Sequence, residues 1–269
     1  MMVAPHPFIL QSKYWSCPDA TINGQRRTEN AVKFTRILNT LCGCAISSSA
    51  RFVQHFWGIS PDKEFACRLT QEGYGYQSFI PELKEFSATN ELHAIRLFPA
   101  ATYYDINFFS GDYAVTLPDS SEKYLDKVLS LKGEHARRFE IASTWFSQVN
   151  GLWPQSSSSA MIAVVSAIEA LLEKSSESCK ACGQHKFEIT KKFRAFLKEY
   201  VPGIEEAFPE EFKAIYKMRS DLAHGSALLV ADLEYWNYFG TPLQQWQDEF
   251  QRNTFYITAT ALRNWVLAR

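Results

Sequence analysis

The sequence predicts an α+β protein in which a smaller mixed α/β domain precedes an all-α helical bundle. The chain has 269 residues, 46% hydrophobic and 21% charged, which is enough apolar material and length for two folded domains. Short strand-like runs crowd residues 64–117, and helical periodicity without a convincing strand follows Pro118. We therefore predict a domain of unknown sensory or regulatory role at 1–120 and a helical domain at 121–269.

The elements of the first half are short. Apolar residues at Val32, Leu38 and Leu41 predict a helix over 29–41 that ends near Gly43. Runs rich in β-branched and aromatic residues, separated by Gly, Pro, Asn and Asp, predict five strands at 65–69, 76–80, 92–98, 103–109 and 113–117. This half is expected to contain a small sheet.

The second half reads as a succession of helices. The spacing of apolar residues predicts seven of them, at 121–131, 134–149, 158–174, 187–201, 209–224, 228–239 and 242–267. Pro209 and Pro242 stand at first-turn positions, where the missing N–H has no cost. Helices in this number and order predict a bundle.

Composition excludes several classes of protein. The 28 Lys and Arg nearly cancel the 29 Asp and Glu, which argues against a strongly polyanion-binding protein. No apolar run approaches the length that spans a bilayer, and the amino terminus lacks the pattern of a secretory signal. The six cysteines are sparse for this length and fit a reducing compartment. We expect a cytoplasmic protein without a membrane segment.

Two charged residues fall on apolar stripes of the predicted helices. Arg219 lies in the middle of a stripe formed by Phe212, Ile215, Tyr216, Leu222 and Ala223. Glu169 lies on a stripe formed by Ile162, Val165 and Leu172. Because a charge in an apolar seam is costly without a partner of opposite sign, we predict that Glu169 and Arg219 face each other across a helix pair.

His224 closes the predicted helix that carries Arg219. Gly225 follows it and is the residue type that best adopts the left-handed turn at a helix end. Five residues separate Arg219 from His224, which corresponds to about 140° around a regular helix. A joint site therefore needs either fraying of the helix end or a second copy of the helix.

The segment around these residues resembles a known signature. Residues 215–225 read IYKMRSDLAHG, which resembles the motif of the HEPN superfamily, an Arg followed by four to six residues and a His. The Arg-Ser and terminal His-Gly are closest to the ApeA-like branch. The upstream stretches SAIEALL at 166–172 and ITKKFR at 189–194 resemble that branch in type and spacing. The resemblance covers roughly residues 121–269.

The resemblance implies a HEPN-like helical domain that forms a homodimer and cleaves RNA without a metal or other cofactor. Arg219 and His224 would be the catalytic residues, with Glu169, Ser220, Asp221 and Tyr216 in support. The expected products are a 2′,3′-cyclic phosphate and a 5′-hydroxyl end, formed when His224 moves the ribose proton and Arg219 holds the phosphate. A role in antiviral defence or the stress response follows from the same resemblance.

One position departs from the family pattern. Active members commonly carry Asn, Asp or His directly after the Arg, whereas this chain has Ser220. Two alternatives therefore stand beside the ribonuclease: a non-catalytic HEPN scaffold that binds a nucleotide, RNA or a protein, and the toxin of a pair with a nucleotidyltransferase-like antitoxin or regulatory partner. A basic face that includes Lys191, Lys192 and Arg194 is a candidate RNA contact, or else an ordinary solvated helix face.

The sequence also contains half of a metal-binding pattern. Cys179 and Cys182 form a CxxCG knuckle between two predicted helices, a turn whose thiolates commonly bind zinc. The remaining ligands of a structural zinc could come from Cys42 and Cys44, from His185 together with another group, or from the same knuckle of a second subunit. The alternatives are a redox pair and inert thiols.

Overall fold

The computed structural model describes residues 20–43, 54–57, 68–71, 96–105, 116–153, 155–173, 177–178, 185–186, 189–233 and 241–269. The helices in these ranges are α1 (Ala20–Cys42), α2 (Ala100–Tyr103), α3 (Ser121–Ser130), α4 (Gly133–Leu152), α5 (Ser157–Glu169), α6 (Ile189–Tyr200), α7 (Ile204–Ala207), α8 (Pro209–Ala223), α9 (Val230–Leu233) and α10 (Pro242–Leu267). The strands are β1 (Gln54–Trp57), β2 (Arg68–Gln71), β3 (Arg96–Phe98), β4 (Thr116–Pro118), β5 (Glu177–Ser178) and β6 (His185–Lys186). The fold is α+β and dominated by helices.

The chain divides into two compact units. The first comprises 1–35, 46–96 and 111–115, and the second comprises 36–45, 97–110 and 116–269. In the first unit β1 and β2 form an antiparallel pair in which His55 lies opposite Thr70 and Phe56 opposite Leu69. Whether residue 120 separates two independently folding domains stays a prediction.

Helix α5 is the centre of the larger unit. It packs against α4, α8 and α10, and its side chains are buried on nearly every face because it is rich in Ala, Val and Ile. Met161, Val165 and Ile168 join the largest apolar cluster, which continues through Phe146 of α4 and Leu262 of α10. This packing holds the carboxyl end of α5, with Glu169, beside α8.

Helix α5 begins with an N-cap serine and with hydrogen bonds to a carboxylate that is distant in sequence. The Ser156 hydroxyl accepts the backbone N–H of Ser159 at 3.1 Å, an ordinary N-cap. The Asp232 carboxylate accepts the N–H groups of Ser157 and Ser158 at 2.6 and 2.9 Å. Burial pushes the pKa of Asp232 upward, but the hydrogen bonds from these serines outweigh it and hold that pKa below its ordinary value.

The predicted helices of the second half are present with small changes at their ends. Pro209 and Pro242 begin α8 and α10 as predicted, and the Thr241 hydroxyl caps α10 by accepting the Gln244 N–H at 3.2 Å. The helix predicted over 158–174 ends early, at Glu169, because the chain then turns through Ala170 and Leu171. Of the helix predicted over 228–239, Val230–Leu233 is helical and 234–239 lie outside the described residues.

The strand predictions for the first half were less accurate. The strands β2, β3 and β4 overlap those predicted at 65–69, 92–98 and 113–117, while β1 was not predicted. Residues 65–67, 92–95 and 113–115 of these predictions lie outside the described residues. The strand predicted at 103–109 is wrong at its start, because Tyr103 ends helix α2. Pro99 and the Asp119 carboxylate, which accepts the Ala100 N–H at 3.0 Å, begin that helix instead. Residues 76–80 and 106–109 lie outside the described residues.

Two smaller findings concern the rest of the chain. The two-residue strands β5 and β6 form an antiparallel pair in a half that was predicted to be purely helical, with Ser178 opposite His185. No helix in the described ranges has an apolar stretch long enough to cross a bilayer.

Candidate functional site

The end of helix α8 has the geometry that its sequence predicts. Gly225 adopts a positive φ of 71°, which only glycine tolerates easily. The Ser226 N–H donates to the Asp221 carbonyl at 3.0 Å, and the Gly225 N–H donates to the Leu222 carbonyl at 3.1 Å. This pair of bonds is the Schellman motif, and it sets His224 at the last position before the chain turns away.

Glu169 and Arg219 form the ion pair that the two apolar stripes predict. The Arg219 Nη2 donates to the Glu169 Oε2 at 2.8 Å, across the contact between α8 and α5. The side chains are 25% and 21% exposed, so the pair lies at the edge of the apolar core rather than in bulk solvent. Its desolvation is therefore partial, and one face of the pair remains reachable.

The electrostatics of this cluster involve a third residue. Burial raises the pKa of Glu169 above its ordinary value, even though the charge and hydrogen bond of Arg219 act in the opposite direction. Burial also raises the pKa of Tyr216, helped by the negative charge of Glu169 and opposed by Arg219. Tyr216 thus belongs to the same electrostatic cluster, with its ring packed at 5.4 Å from that of Phe193.

Arg219 has bonding capacity that the ion pair does not use. Its Nε is buried and has no hydrogen-bond partner among the described residues. An unpaired buried donor costs free energy, typically about 1–3 kcal/mol, unless an acceptor such as a phosphate oxygen or an ordered water meets it. The Arg219 Nη1 is not buried in this way and makes no hydrogen bond among the described residues, so the guanidinium can take a further acceptor there while Nη2 keeps the Glu169 contact.

His224 is exposed, and the described contacts do not join it to Glu169, Arg219 or Tyr216. Its backbone N–H donates to the Ser220 carbonyl at 3.0 Å, which continues the helical pattern by one residue. One chain thus brings Glu169, Arg219 and Tyr216 together and leaves the imidazole in solvent.

The two other supporting residues take structural contacts. Asp221 accepts a hydrogen bond from the Lys217 ammonium at 3.1 Å, an ion pair within the exposed face of α8. Its carbonyl also accepts the Ser226 hydroxyl at 2.9 Å. Ser220 is half-buried, and its carbonyl accepts the His224 N–H. These contacts stabilise the helix end that carries His224.

The predicted basic face lies on helix α6. Lys191 and Arg194 are exposed and Lys192 is half-buried. The Arg194 Nη2 donates to the Lys213 carbonyl at 3.2 Å, which ties α6 to α8. Whether this face contacts RNA stays a prediction.

Cys179 and Cys182 lie outside the described residues, between β5 and β6 in sequence, and Cys44 is outside them as well. Cys42 is half-buried and forms no disulfide. The described ranges contain no group of three or more His, Cys, Asp or Glu residues arranged to hold a metal ion. The structural zinc stays a prediction.

A second buried arginine was missed by the sequence reasoning. Arg263 of α10 lines a cavity of about 760 Å³ whose wall includes Ala100, Tyr104, Tyr124, Phe208 and Tyr256. The signal was present, because Arg263 shares a helical stripe with Ala259, Leu262 and Val266, all of which are buried. The same reasoning that singled out Arg219 would have found it.

Comparison with known proteins adds no relative. No protein-family model, curated protein or solved structure matches the chain. Any function must therefore be inferred from the residues and contacts of the chain and from the resemblance of the Arg-x4-His segment.

Proposed function

We propose that the protein is a homodimeric, metal-independent endoribonuclease of the HEPN type. The observation that carries the proposal is the ion pair of Glu169 with Arg219, on the helix that ends at the exposed His224. A guanidinium with a free donor and an accessible imidazole are the two groups that cleavage next to a 2′-hydroxyl needs. A role in defence or the stress response follows from the sequence resemblance.

The chemistry assigns each group one task. His224 accepts the proton of the ribose 2′-hydroxyl, and the oxygen attacks the adjacent phosphorus. Arg219 binds the phosphate and stabilises the charge that develops on it, while Glu169 fixes the position of the guanidinium. The His224 imidazolium then gives this proton to the leaving 5′-oxygen, so the products are a 2′,3′-cyclic phosphate and a 5′-hydroxyl. No metal is needed for this balance.

A second copy of the chain would bring an Arg219 and a His224 close together. Arg219 and His224 lie on different sides of one helix, so a cleft containing both groups requires α8 from two protomers. Large apolar side chains are exposed after His224: Leu228 is 55%, Leu233 66% and Leu243 53% exposed. Exposed apolar residues are typical of protein interfaces where they form one patch, and these three follow the end of α8 in sequence, which supports dimerisation in this region.

Cleavage of a mixed RNA substrate with chelator present tests the activity. Wild type should cleave, and His224→Ala should lose about 10²- to 10⁴-fold in rate, because a general base contributes a factor of that order. His135→Ala is a matched control, since His135 is also an exposed histidine of the helical unit but packs edge-on against Trp265 at 5.8 Å. Activity that survives in His224→Ala would contradict the proposal.

Mixing two inactive variants tests the composite cleft. Arg219→Ala and His224→Ala each lack one group, but a mixed dimer keeps His224 on one chain and Arg219 on the other. If the groups act across the dimer, mixing should restore part of the activity. If neither variant nor their mixture is active, the proposal that the two groups act across the dimer is wrong. Analytical sedimentation of the mixture then shows whether the chains still form a dimer, in which case the groups act within one chain, or are monomers, in which case no shared cleft exists.

One contact favours a different function. The Glu169 carboxylate already accepts a hydrogen bond from the Arg219 Nη2 at 2.8 Å. It therefore competes with a phosphate for the same guanidinium. With Ser220 after the Arg, this supports a non-catalytic HEPN scaffold that binds RNA, a nucleotide or a protein such as a nucleotidyltransferase-like antitoxin. RNA that stays intact with wild type, while the chain still retards it on a native gel, would favour the scaffold.

A further inference from the structure

The cavity beside Arg263 is a second candidate site, independent of the proposed ribonuclease. It lies within the larger unit, among α2, α3, α7 and α10, and its volume of about 760 Å³ is within the range of small-molecule sites. Its wall is mostly apolar and aromatic, and its aromatic members are Tyr104, Tyr124, Phe208 and Tyr256. Such a wall accommodates a flat, apolar ligand body.

Arg263 is the unusual member of the wall. The residue is only 5% exposed, yet its described contacts are one hydrogen bond from Nη2 to the Thr260 hydroxyl at 3.0 Å and one tyrosine ring. The guanidinium carbon lies 3.7 Å from the centre of the Tyr104 ring. A guanidinium has five N–H donors, so most of its capacity is unused by the described part of the chain.

Among the described residues, no carboxylate lies within ion-pair distance of Arg263. The groups that face it are tyrosines. Burial raises the pKa of the Tyr104 phenol to about 12, and it raises the pKa of Tyr124 as well, so both phenols are neutral at physiological pH. The Tyr104 hydroxyl donates to the Leu41 carbonyl at 3.0 Å, which leaves it no proton for a second bond. A buried cation that has no carboxylate partner within the described residues is favourably placed to bind an anion.

The glycine that ends α1 lets the backbone approach this cation. Gly43 has a φ of 60°, and a Cβ there would lie 3.3 Å from the Arg263 Nη1. The carboxyl end of a helix carries a partial negative charge of about half an elementary charge. It stabilises a nearby cation but does not neutralise the full charge of a guanidinium. The packing thus keeps the guanidinium in place when no ligand is bound.

We propose that this cavity binds a small organic anion that carries one oxyanion group on a planar ring system. Arg263 would hold the oxyanion through paired hydrogen bonds, and Tyr104, Phe208 and Tyr256 would contact the rings. Asp105, which is exposed, also lines the cavity. One arginine and one carboxylate favour a singly charged ligand over a polyphosphate. An aromatic carboxylate and a cyclic nucleotide monophosphate share this chemistry.

Calorimetric titration of the full chain tests the proposal and separates the two sources. The probes are 2-naphthoate, its uncharged amide, cyclic AMP and inorganic phosphate. At least one ring-bearing anion should bind, and naphthoate should bind at least about 10-fold tighter than its amide if the carboxylate is the source, because a charged hydrogen bond contributes about that much. Binding of phosphate alone, or no binding by any probe below about 1 mM, overturns the proposal.

Two variants assign the binding to Arg263. Arg263→Met keeps the length and removes the charge, so affinity should fall about 10- to 100-fold, whereas Arg252→Met, an exposed arginine of the same helix, should leave it unchanged. If Arg263→Met does not fold by circular dichroism, Ala101→Trp provides the second test. Ala101 is an exposed wall residue of α2, and the indole should fill the cavity and abolish binding. Undiminished affinity in a folded Arg263→Met, or in Ala101→Trp, overturns the assignment. RNA cleavage is not a readout, so this result is independent of the proposed ribonuclease.

Discussion

The helical unit contains two arginines on apolar helix faces, and they are stabilised in different ways. Arg219 on α8 meets the Glu169 carboxylate at 2.8 Å. Arg263 on α10 is more deeply buried and meets the Tyr104 ring. A carboxylate neutralises the guanidinium and fixes its direction, whereas a neutral ring holds it and leaves its charge unmatched. The comparison indicates that the charge of Arg219 is paired with a carboxylate, whereas the charge of Arg263 has no such partner among the described residues.

The largest expected effect comes from removing the carboxylate partner. Glu169→Ala leaves the partly buried Arg219 without its acceptor, so the free energy of unfolding should fall by about 1–3 kcal/mol. Glu205→Ala is the matched control, because Glu205 pairs with Lys198 at a similar 2.9 Å but the two side chains are 49% and 53% exposed. That control should cost less than about 1 kcal/mol in urea unfolding. Equal losses in the two variants would mean that burial of the Arg219 pair is unimportant.

Substitutions of Tyr104 test how strongly its ring stabilises Arg263. Tyr104→Phe removes the hydroxyl that donates to the Leu41 carbonyl and should cost about 1 kcal/mol. Tyr104→Leu also removes the ring over Arg263 and should cost a further ~0.5–2 kcal/mol, the range of a cation–π contact. Thermal unfolding of the two variants side by side measures the difference. If Leu and Phe are equivalent, the ring does not stabilise the guanidinium.

The Glu169–Arg219 pair should also make the stability depend on pH, and this effect is smaller than the loss expected for Glu169→Ala. Burial raises the pKa of Glu169 above the ordinary 4.5, so the folded state holds this proton more tightly than the unfolded state. The stability that this tighter proton binding contributes is fully present below about pH 4.5, and it is lost as the pH rises through the raised pKa of Glu169. Relative to Glu169→Gln, wild type should therefore lose stability over that rise. A relative gain would mean that the attraction of Arg219 outweighs the desolvation.

The smallest effect is expected for the third cation of this comparison. Lys217 pairs with Asp221 one turn along the same helix as Arg219, but its side chain is 80% exposed. Lys217→Ala should change the free energy of unfolding by about 0.3–0.5 kcal/mol, and 1 M salt should remove most of that change. A loss as large as that in Glu169→Ala would indicate that Lys217 belongs to the buried cluster.

Local signals predicted the elements that depend on nearest neighbours in the chain. Pro209 and Pro242 predicted helix starts, and Gly225 predicted the end of α8, because missing N–H groups and positive φ are properties of single residues. The Glu169–Arg219 pair was also predictable, since two opposite charges on two apolar stripes have few other ways to be satisfied. The strand predicted at 103–109 failed at Tyr103, because Asp119 caps helix α2 from a distance that local patterns do not reveal.

The helical order, the end of α8 and the need of Arg219 for a carboxylate can be predicted from the amino-acid sequence, because hydrophobic periodicity, backbone conformation and charge burial act over a few residues. The position of Arg263 among tyrosines beside a cavity, and the exposure of His224, became evident in the folded molecule alone. Neighbours in space come from distant parts of the chain, and no local pattern specifies which of them meets a given side chain.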